Sequence, residues 1–424
     1  MFGFNEEPAN NWMSGLLLGN GEYGVMIHGN INEEQITVSH HHSFLKTKNM
    51  NKIPFMADLL SELREIIVER NYKEAIDFFE RKAIERGYPG LTMSDYFHPI
   101  YSLEVKHAFN KPNKTFKSYS DHPEKGHIKG DYITKKYDLS EGYLSVSYKT
   151  DVISSMTVRF EEFKKEDIIE ERKILKEGLI YKLKYFDDTG FQSVLSVQTD
   201  GEIKISTESL QIINYTETKM DIETLHNEES FYVQKKEVKS YLKLCKSSTL
   251  SNEKLLQNIY KHDHKQIFLT RMYQNSVKYI QAYSGFGIPN LQGIWSGDFE
   301  PAWAGDYTFD TNVQLAISSY LSLGMFGEMK SVFKHLENMF DDFRHNAQYY
   351  FGCKGLLVPA HASRRGLHLH WDKDWPLVFW ISGAGWLSKY YQEYFNYTED
   401  YEFLRKQALP FFEESLEFYM DYVQ

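Results

Sequence analysis

The sequence is short of cysteine and of long apolar runs, and each shortage excludes a class of protein. Only Cys245 and Cys353 occur among the 424 residues, so neither a disulfide framework nor a cysteine-rich metal site can form. No stretch approaches the roughly 20 apolar residues of a membrane helix. The N-terminus MFGFNEEPANNW lacks the basic and apolar regions of a signal peptide. We therefore expect a cytoplasmic protein without a membrane partner.

Net positive charge is also missing. The 48 Lys and Arg stand against 59 Asp and Glu, and the resulting net charge of −11 argues against a nucleic-acid partner. Aromatic side chains, in contrast, are abundant: 29 Phe, 30 Tyr and 7 Trp make up 16% of the chain. Such residues build cores, and Tyr and Trp also stack on the apolar faces of ligands. The composition therefore favours a large core together with a sugar-type site.

The hydrophobic pattern divides the chain into a strand-rich part and a helical part. Residues 101–244 hold alternating segments such as YLSVSYKT and GEIKIST, separated by Gly, Asp, Asn and Ser, which is typical of a β-sandwich. Helical spacing appears at 54–87 and again from residue 252 to the last residue. The sequence thus predicts an α+β multidomain protein with these parts: a β-sandwich over 1–245 with a helical insertion near 54–87, a linker over 246–252, and a helical domain over 253–424.

The opening of the chain carries a hairpin signal. Asn20 and Gly21 separate the apolar runs at 16–18 and 25–27, and an Asn-Gly pair in that setting favours a tight β-turn. The same glycines resemble a phosphate-binding loop only superficially, because no helix follows them. We therefore predict that a β-hairpin begins the fold.

Chemically suggestive residues are concentrated in 285–314, GFGIPNLQGIWSGDFEPAWAGDYTFDTNVQ, between two predicted helices. A long ordered connection is usually functional. Indoles can stack on a sugar, while carboxylates accept its hydroxyl hydrogens or act as acid and base. A solvated acidic loop with its indoles in the core explains the composition equally well. The candidate side chains are Trp295, Asp298, Glu300, Trp303, Asp306 and Asp310.

A second dense stretch is VPAHASRRGLHLHWDKDW at 358–375. His368, His370 and Asp372 could be metal ligands, but zinc needs more ligands in tight geometry, and such clusters more often bind a polar ligand or each other. We therefore expect no metal and no cofactor. The histidine triplet 40–42 is open between an outward-facing pair and a substrate contact. Candidate ligand residues in the dense stretch are His361, His370 and Trp371.

The motifs resemble glycoside hydrolase family 95, which contains inverting α-L-fucosidases and some α-L-galactosidases. The match rests on PNLQGIW at 289–295, PAW at 301–303 and YTFDTNVQ at 307–314, with His361 where the family has a histidine pair. GLLLGNGEYGVMIHGNINEEQI and FWISGAGWLSKYYQEYFNYTEDYEFL are also similar. The resemblance implies an oligosaccharide substrate and a β-sandwich joined to an α/α toroid of six helix hairpins, with the sugar at the centre of the toroid.

One departure from the family concerns the residues that handle water. In the family, two alternate asparagines bind the attacking water and a later aspartate activates one of them; the positions here are Asp310 and Asn312. An ionised carboxylate accepts a proton without an assisting partner. The resemblance therefore implies that Asp310 is the catalytic base and that Asn312 orients the water. The residues expected to bind substrate are Trp295, Trp303, Asp306, His361, His370 and Trp371.

The second departure concerns the acid. The family's acidic glutamate lies C-terminal to the matched region, and 252–424 has room for roughly six or seven helices, whereas a closed toroid of six hairpins has twelve. We therefore expect an incomplete toroid, the N-terminal half of the catalytic domain of a longer enzyme, with self-association through an open helical edge. Glu300 or Glu393 could in principle replace the acid. An inactive carbohydrate-binding fragment, or an inverting phosphorylase using Arg364 and Arg365, is the alternative.

Overall fold

The computed structural model describes residues 2–46, 52–88, 95–206, 208–227, 250–259, 264–368 and 377–423, and it confirms the predicted α+β class. The strands are β1 Phe2–Asn5, β2 Leu16–Gly19, β3 Tyr23–Gly29, β4 Glu33–Phe44, β5 Phe97–Phe109, β6 Lys117–His122, β7 Lys125–Lys129, β8 Ile133–Ser140, β9 Tyr143–Phe160, β10 Ile169–Leu175, β11 Gly178–Lys184, β12 Gly190–Thr199, β13 Glu202–Ile205, β14 Leu210–His226, β15 Tyr307–Thr308 and β16 His361–Ala362.

Two helices follow β4, and the others follow the large sheet. The α-helices are α1 Leu60–Glu69, α2 Tyr72–Glu85, α3 Asn252–Asn258, α4 Lys265–Tyr283, α5 Asn312–Ile317, α6 Phe326–Glu337, α7 Phe340–Phe351, α8 Gly383–Thr398, α9 Tyr401–Phe403 and α10 Leu409–Tyr422, with a π-helical turn at Leu404–Ala408 between the last two. Over the part of the chain that the structure describes, no helix combines the length and the apolar character needed to cross a bilayer.

Strands β1–β14 form one antiparallel sheet that closes over a shared core. The long strand β9 pairs with β8 through residues 143–150 and with β5 through residues 154–160, so it joins two parts of the sheet. Val25 of β3 and Leu183 of β11, which lie on different sides of β9 in the strand order, share one buried cluster. The predicted hairpin is confirmed, because β2 and β3 pair around Asn20, whose side chain accepts the backbone N–H groups of the turn.

The helical pair α1–α2 packs on the helical part of the molecule. Its buried side chains, including Ile76 and Phe79, share a cluster with Ala347, Tyr350 and Phe418 of α7 and α10. The amphipathic pattern that predicted these helices therefore reflects a helical partner. Although the pair is inserted between sheet strands in sequence, its apolar face covers α7 and α10.

The first hairpin meets the helical part through backbone-to-backbone contacts. A Cβ atom at Gly21 would lie 2.1 Å from the carbonyl oxygen of Ser284, and one at Gly24 would lie 2.4 Å from that of Ile294. Gly21 also has a positive φ of 84°, which disfavours any residue with a side chain. The glycines of GNGEYG are thus required for close packing of the two parts.

Five histidines lie at the same boundary: His40, His41 and His42 of β4, His226 of β14 and His335 of α6. The Nε2 atom of His41 lies 3.3 Å from Nδ1 of His335, and the rings of His42 and His226 stack at 5.7 Å. Glu22 lies 3.5 Å from His40. Burial lowers the pKa of His40 and of His335 to about 3. These rings are therefore neutral in the folded protein at neutral pH.

This histidine cluster makes the fold acid-sensitive. In the unfolded chain a histidine protonates near pH 6.5, so between that pH and about 3 the unfolded state binds more protons than the folded state. The free energy of unfolding therefore falls as the pH falls through this window. We expect His335→Gln to flatten the dependence by up to about 1.4 kcal/mol per pH unit.

Denaturant titrations from pH 7 down to pH 4 measure this slope. His122, whose side chain is 50% exposed, provides the control His122→Gln. A slope that stays the same in His335→Gln, or that changes equally in the control, would contradict the assignment.

Candidate active site

A short β-ladder joins the two segments that the sequence singled out. Strand β15 lies in 285–314 and β16 lies in 358–375; they pair antiparallel, with Thr308 opposite His361. Because the strands belong to loops more than 50 positions apart, only the folded helical part brings them together. The ladder therefore fixes one loop against the other at the candidate site.

A buried hydrogen-bonded pair, Asp306 and His361, lies beside this ladder. The Nδ1–H group of His361 donates to the carboxylate of Asp306, with distances of 3.0 and 3.1 Å to the two oxygens, and the hydroxyl of Thr308 donates to the same carboxylate at 2.8 Å. Asp306 is 0% and His361 2% exposed. A buried carboxylate is tolerated only when paired in this way. Both side chains were predicted to touch a sugar, and the structure instead places them beneath the surface.

Trp303 stacks on His361 of this pair and is exposed. Its indole is 42% exposed and stacks on the ring of His361, with 5.6 Å between centroids and 13° between planes. Its backbone is left-handed, with φ of 54°, and Ala304 and Gly305 continue with φ of 57° and 60°. For a residue with a side chain this conformation costs about 1–2 kcal/mol. The site therefore holds Trp303 in a strained turn.

Asp310 and Asn312 lie directly after the ladder. Asp310 is half-buried, and its Oδ1 atom has no hydrogen-bond partner among the described residues. Burial raises the pKa of Asp310, while the nearby charge of His361 acts in the opposite direction. Asn312 is exposed and begins α5, a helix anchored where Gln314 donates to the carbonyl of Phe309 at 2.5 Å. The structure thus brings a carboxylate with one unpartnered oxygen, Oδ1, and an amide onto one turn.

Trp295 lies elsewhere, and its predicted contact with a sugar is corrected. It is 5% exposed, packs edge-on against Tyr279 and Tyr283, and donates its indole N–H to the carbonyl of Leu18 at 2.7 Å. This contact joins the first hairpin to the loop after α4. No indole face is left open for stacking, so Trp295 belongs to the packing between the two parts.

The carboxylates considered as a substitute acid have cationic partners. Glu300 pairs with Lys165 at 2.6 Å, and this hydrogen bond lowers the pKa of Glu300, whereas a general acid needs a raised pKa. Glu393 lies 3.5 Å from Lys389 on α8. Neither therefore fits the role of the acid.

The remaining candidates divide into two groups. His368 is buried, and its Nε2–H donates to a backbone carbonyl at 2.9 Å. Within the described ranges, no group of three His, Cys, Asp or Glu side chains could hold a metal ion. His370, Trp371 and Asp372 lie outside the described residues, so their predicted roles stay predictions.

The two arginines near the site bind protein carboxylates. Nε of Arg364 donates to Asp95 at 3.1 Å, and Arg365 makes two bonds to Asp342 at 2.7 and 2.5 Å. Asp95 and Asp342 are buried, so these pairs hold the loop 363–366 in place. The sequence reasoning missed both aspartates, because no local pattern connects them to the arginines. A phosphate would have to compete with these carboxylates.

Trp295 and Trp303 form a matched pair for testing this assignment. We expect Trp295→Phe to lower the free energy of unfolding by about 1–3 kcal/mol, because it leaves the buried carbonyl of Leu18 without its donor. Trp303→Phe should change it by about 0.5 kcal/mol or less, as expected for an exposed position. Denaturant unfolding measures both values, and equal losses in the two variants would show that Trp295 is not the structural indole.

Two protein families match the chain. Residues 221–424 match the glycosyl hydrolase family 95 catalytic domain, and residues 4–167 match the glycosyl hydrolase family 65 N-terminal domain. “Alpha-L-fucosidase 2” of Arabidopsis thaliana is 27% identical over 145 residues, which are 33% of this chain and 16% of that protein. “Probable alpha-fucosidase A” of Aspergillus niger is 22% identical over 133 residues, 31% of this chain and 17% of that protein. The aligned part thus spans less than a fifth of either relative.

Among solved structures, a protein from the human microbiome described as a kojibiose phosphorylase matches with a TM-score of 0.45 and 11% sequence identity. The match covers 96% of this chain and 55% of that chain.

Proposed function

We propose that the protein is a glycosidase that acts on oligosaccharides, because residues 221–424 match the catalytic domain of glycosyl hydrolase family 95. Its substrate is a terminal α-L-fucosyl or α-L-galactosyl residue, which it releases with inversion at the anomeric carbon. The fucosidase names of the two relatives support this sugar class. The observation that carries the proposal is the half-buried carboxylate of Asp310, whose Oδ1 has no partner among the described residues, near the His361 ring on which the exposed indole of Trp303 stacks.

The residues divide the chemistry between them. The exposed face of Trp303 stacks on the C–H face of the sugar. Asp310 accepts a proton from water while the water oxygen bonds to the anomeric carbon, and the amide of Asn312 orients that water. The glycosidic C–O bond breaks, and its oxygen takes up a proton from a second carboxyl group that acts as the general acid on the other side of the sugar, a role that neither Glu300 nor Glu393 fits. In inverting enzymes the acid and base carboxyl groups lie roughly 6.5–9.5 Å apart, which leaves room for the water.

Burial serves the role of Asp310 as a base. A base is most effective when its pKa approaches the working pH, and burial raises the pKa of Asp310 above that of an ordinary aspartate. Turnover should therefore fall as the pH drops through this raised pKa, because the carboxylate becomes protonated. The free energy of unfolding at neutral pH is correspondingly lower, since an ionised carboxylate is held partly out of water.

The first test is Asp310→Asn with α-L-fucosyl fluoride, whose leaving group departs without protonation, so that the measurement isolates the base. We expect hydrolysis to fall by about 10² to 10⁴-fold. The free energy of unfolding at neutral pH should rise, because the raised pKa means that ionised Asp310 destabilises the fold. Fluoride release and denaturant unfolding provide the two readouts.

Asp298→Asn is a matched control, because Asp298 lies in the same loop but accepts a hydrogen bond from Trp12. Full activity of Asp310→Asn would disprove the role of the base. Saturable sugar binding without product would instead identify a carbohydrate-binding protein. Turnover that requires phosphate would identify a phosphorylase, which the carboxylate pairs of Arg364 and Arg365 argue against.

A further inference from the structure

We propose that Asp306 is a positioning residue for the indole of Trp303, acting through the ring of His361. The inference rests on the proposed function only in that this indole is the surface assigned to the sugar. Asp306 itself is 0% exposed, so it reaches the surface through other groups. The order of contacts is Asp306 to His361 by hydrogen bond and His361 to Trp303 by ring stacking.

The hydrogen bond sets the orientation of the imidazole. Both oxygens of Asp306 lie within 3.1 Å of Nδ1 of His361, which fixes the proton on that nitrogen and the plane of the ring. Hydrogen bonds to a charged acceptor are roughly twice as strong as those between neutral groups. The pairing of Thr308 with His361 in the β-ladder fixes the backbone of His361. The ring is therefore a rigid support.

The strained turn shows why the support is needed. Trp303 and Ala304 both adopt left-handed conformations that residues with side chains avoid, and such strain persists only where surrounding contacts over-determine it. Gly305 completes the turn against Phe97 and Pro301, where a Cβ atom would lie 3.1 Å from each side chain. The N–H of Asp306 donates to the carbonyl of Trp303 at 3.3 Å. Asp306 thus holds the turn with its backbone and the indole with its side chain.

Asp306→Asn tests the inference, since it keeps the shape of the side chain and removes its charge. Acrylamide quenching of Trp303, obtained by subtracting the signal of Trp303→Phe, reports the exposure and mobility of the indole without any sugar. We expect quenching to increase in Asp306→Asn and the dissociation constant for L-fucose, measured by calorimetry, to rise about tenfold, a change of about 1.4 kcal/mol. Asp298→Asn, in the same loop, should leave both values unchanged.

A second variant covers the case in which Asp306→Asn does not fold. Thr308→Val removes only the hydroxyl that donates to Asp306 at 2.8 Å and leaves His361 in place, so it should also increase the quenching of Trp303, by less than Asp306→Asn does. A purely structural role would lower stability without changing the quenching of this one indole. Unchanged quenching in the folded variants would overturn the inference. Increased quenching in a protein that binds no sugar would support the positioning role and disprove the proposed function.

Discussion

A carboxylate buried away from water must be paired, and the site depends on how Asp306 meets this requirement. Its partner is His361, which lies 55 positions later in the chain. Pairing them forces the two loops together, and the ladder of β15 and β16 forms alongside. The indole of Trp303 stacks on His361, and Asp310 follows two residues after Thr308 of the ladder. The hydrogen-bonded pair of Asp306 and His361 therefore links the aromatic surface to the segment that carries the proposed base.

The boundary between the sheet and the helical part supports the same loop from the other side. His335 of α6 accepts the N–H of Ile288 at 3.2 Å and contacts His41 of the sheet. Trp295 is tied to the first hairpin through Leu18. The loop 285–314 thus bridges the two parts, with its first half serving packing and its second half forming the site. Because the neutral histidines lie at this boundary, acid that protonates them should destabilise the boundary and with it the site.

Local patterns predicted the fold well, because they are properties of neighbouring residues. Asn20 and Gly21 specified the first hairpin, and the alternation of residues 101–226 specified the strands, while the alternating segment at 228–244 lies outside the described residues. The helices α1 and α2 were visible in their periodicity, although no pattern showed that they pack on α7 and α10. The reason for the glycines of the hairpin was also invisible, since it is a contact with Ser284 and Ile294 more than 250 positions away.

Composition located the candidate site, but it could not distinguish the buried structural residues of the site from the exposed ones. Trp295 and Trp303 look alike in sequence, yet one indole is 5% and the other 42% exposed. The difference comes from the left-handed turn and from the carbonyl of Leu18, and neither has a local signature. Likewise, Asp306 and Asp310 are only four positions apart in sequence. In the structure Asp306 is buried against His361, whereas Oδ1 of Asp310 has no partner among the described residues.

If Asp310 is the base for a water oriented by Asn312, as proposed, that water attacks the face of the sugar opposite the leaving group. Proton NMR of the reaction with α-L-fucosyl fluoride identifies the first anomer formed, before mutarotation mixes the two. β-L-Fucose should appear first, and α-L-fucose should follow by mutarotation. Release of α-L-fucose as the first product would contradict the proposal, because retention requires a carboxylate that attacks the sugar itself.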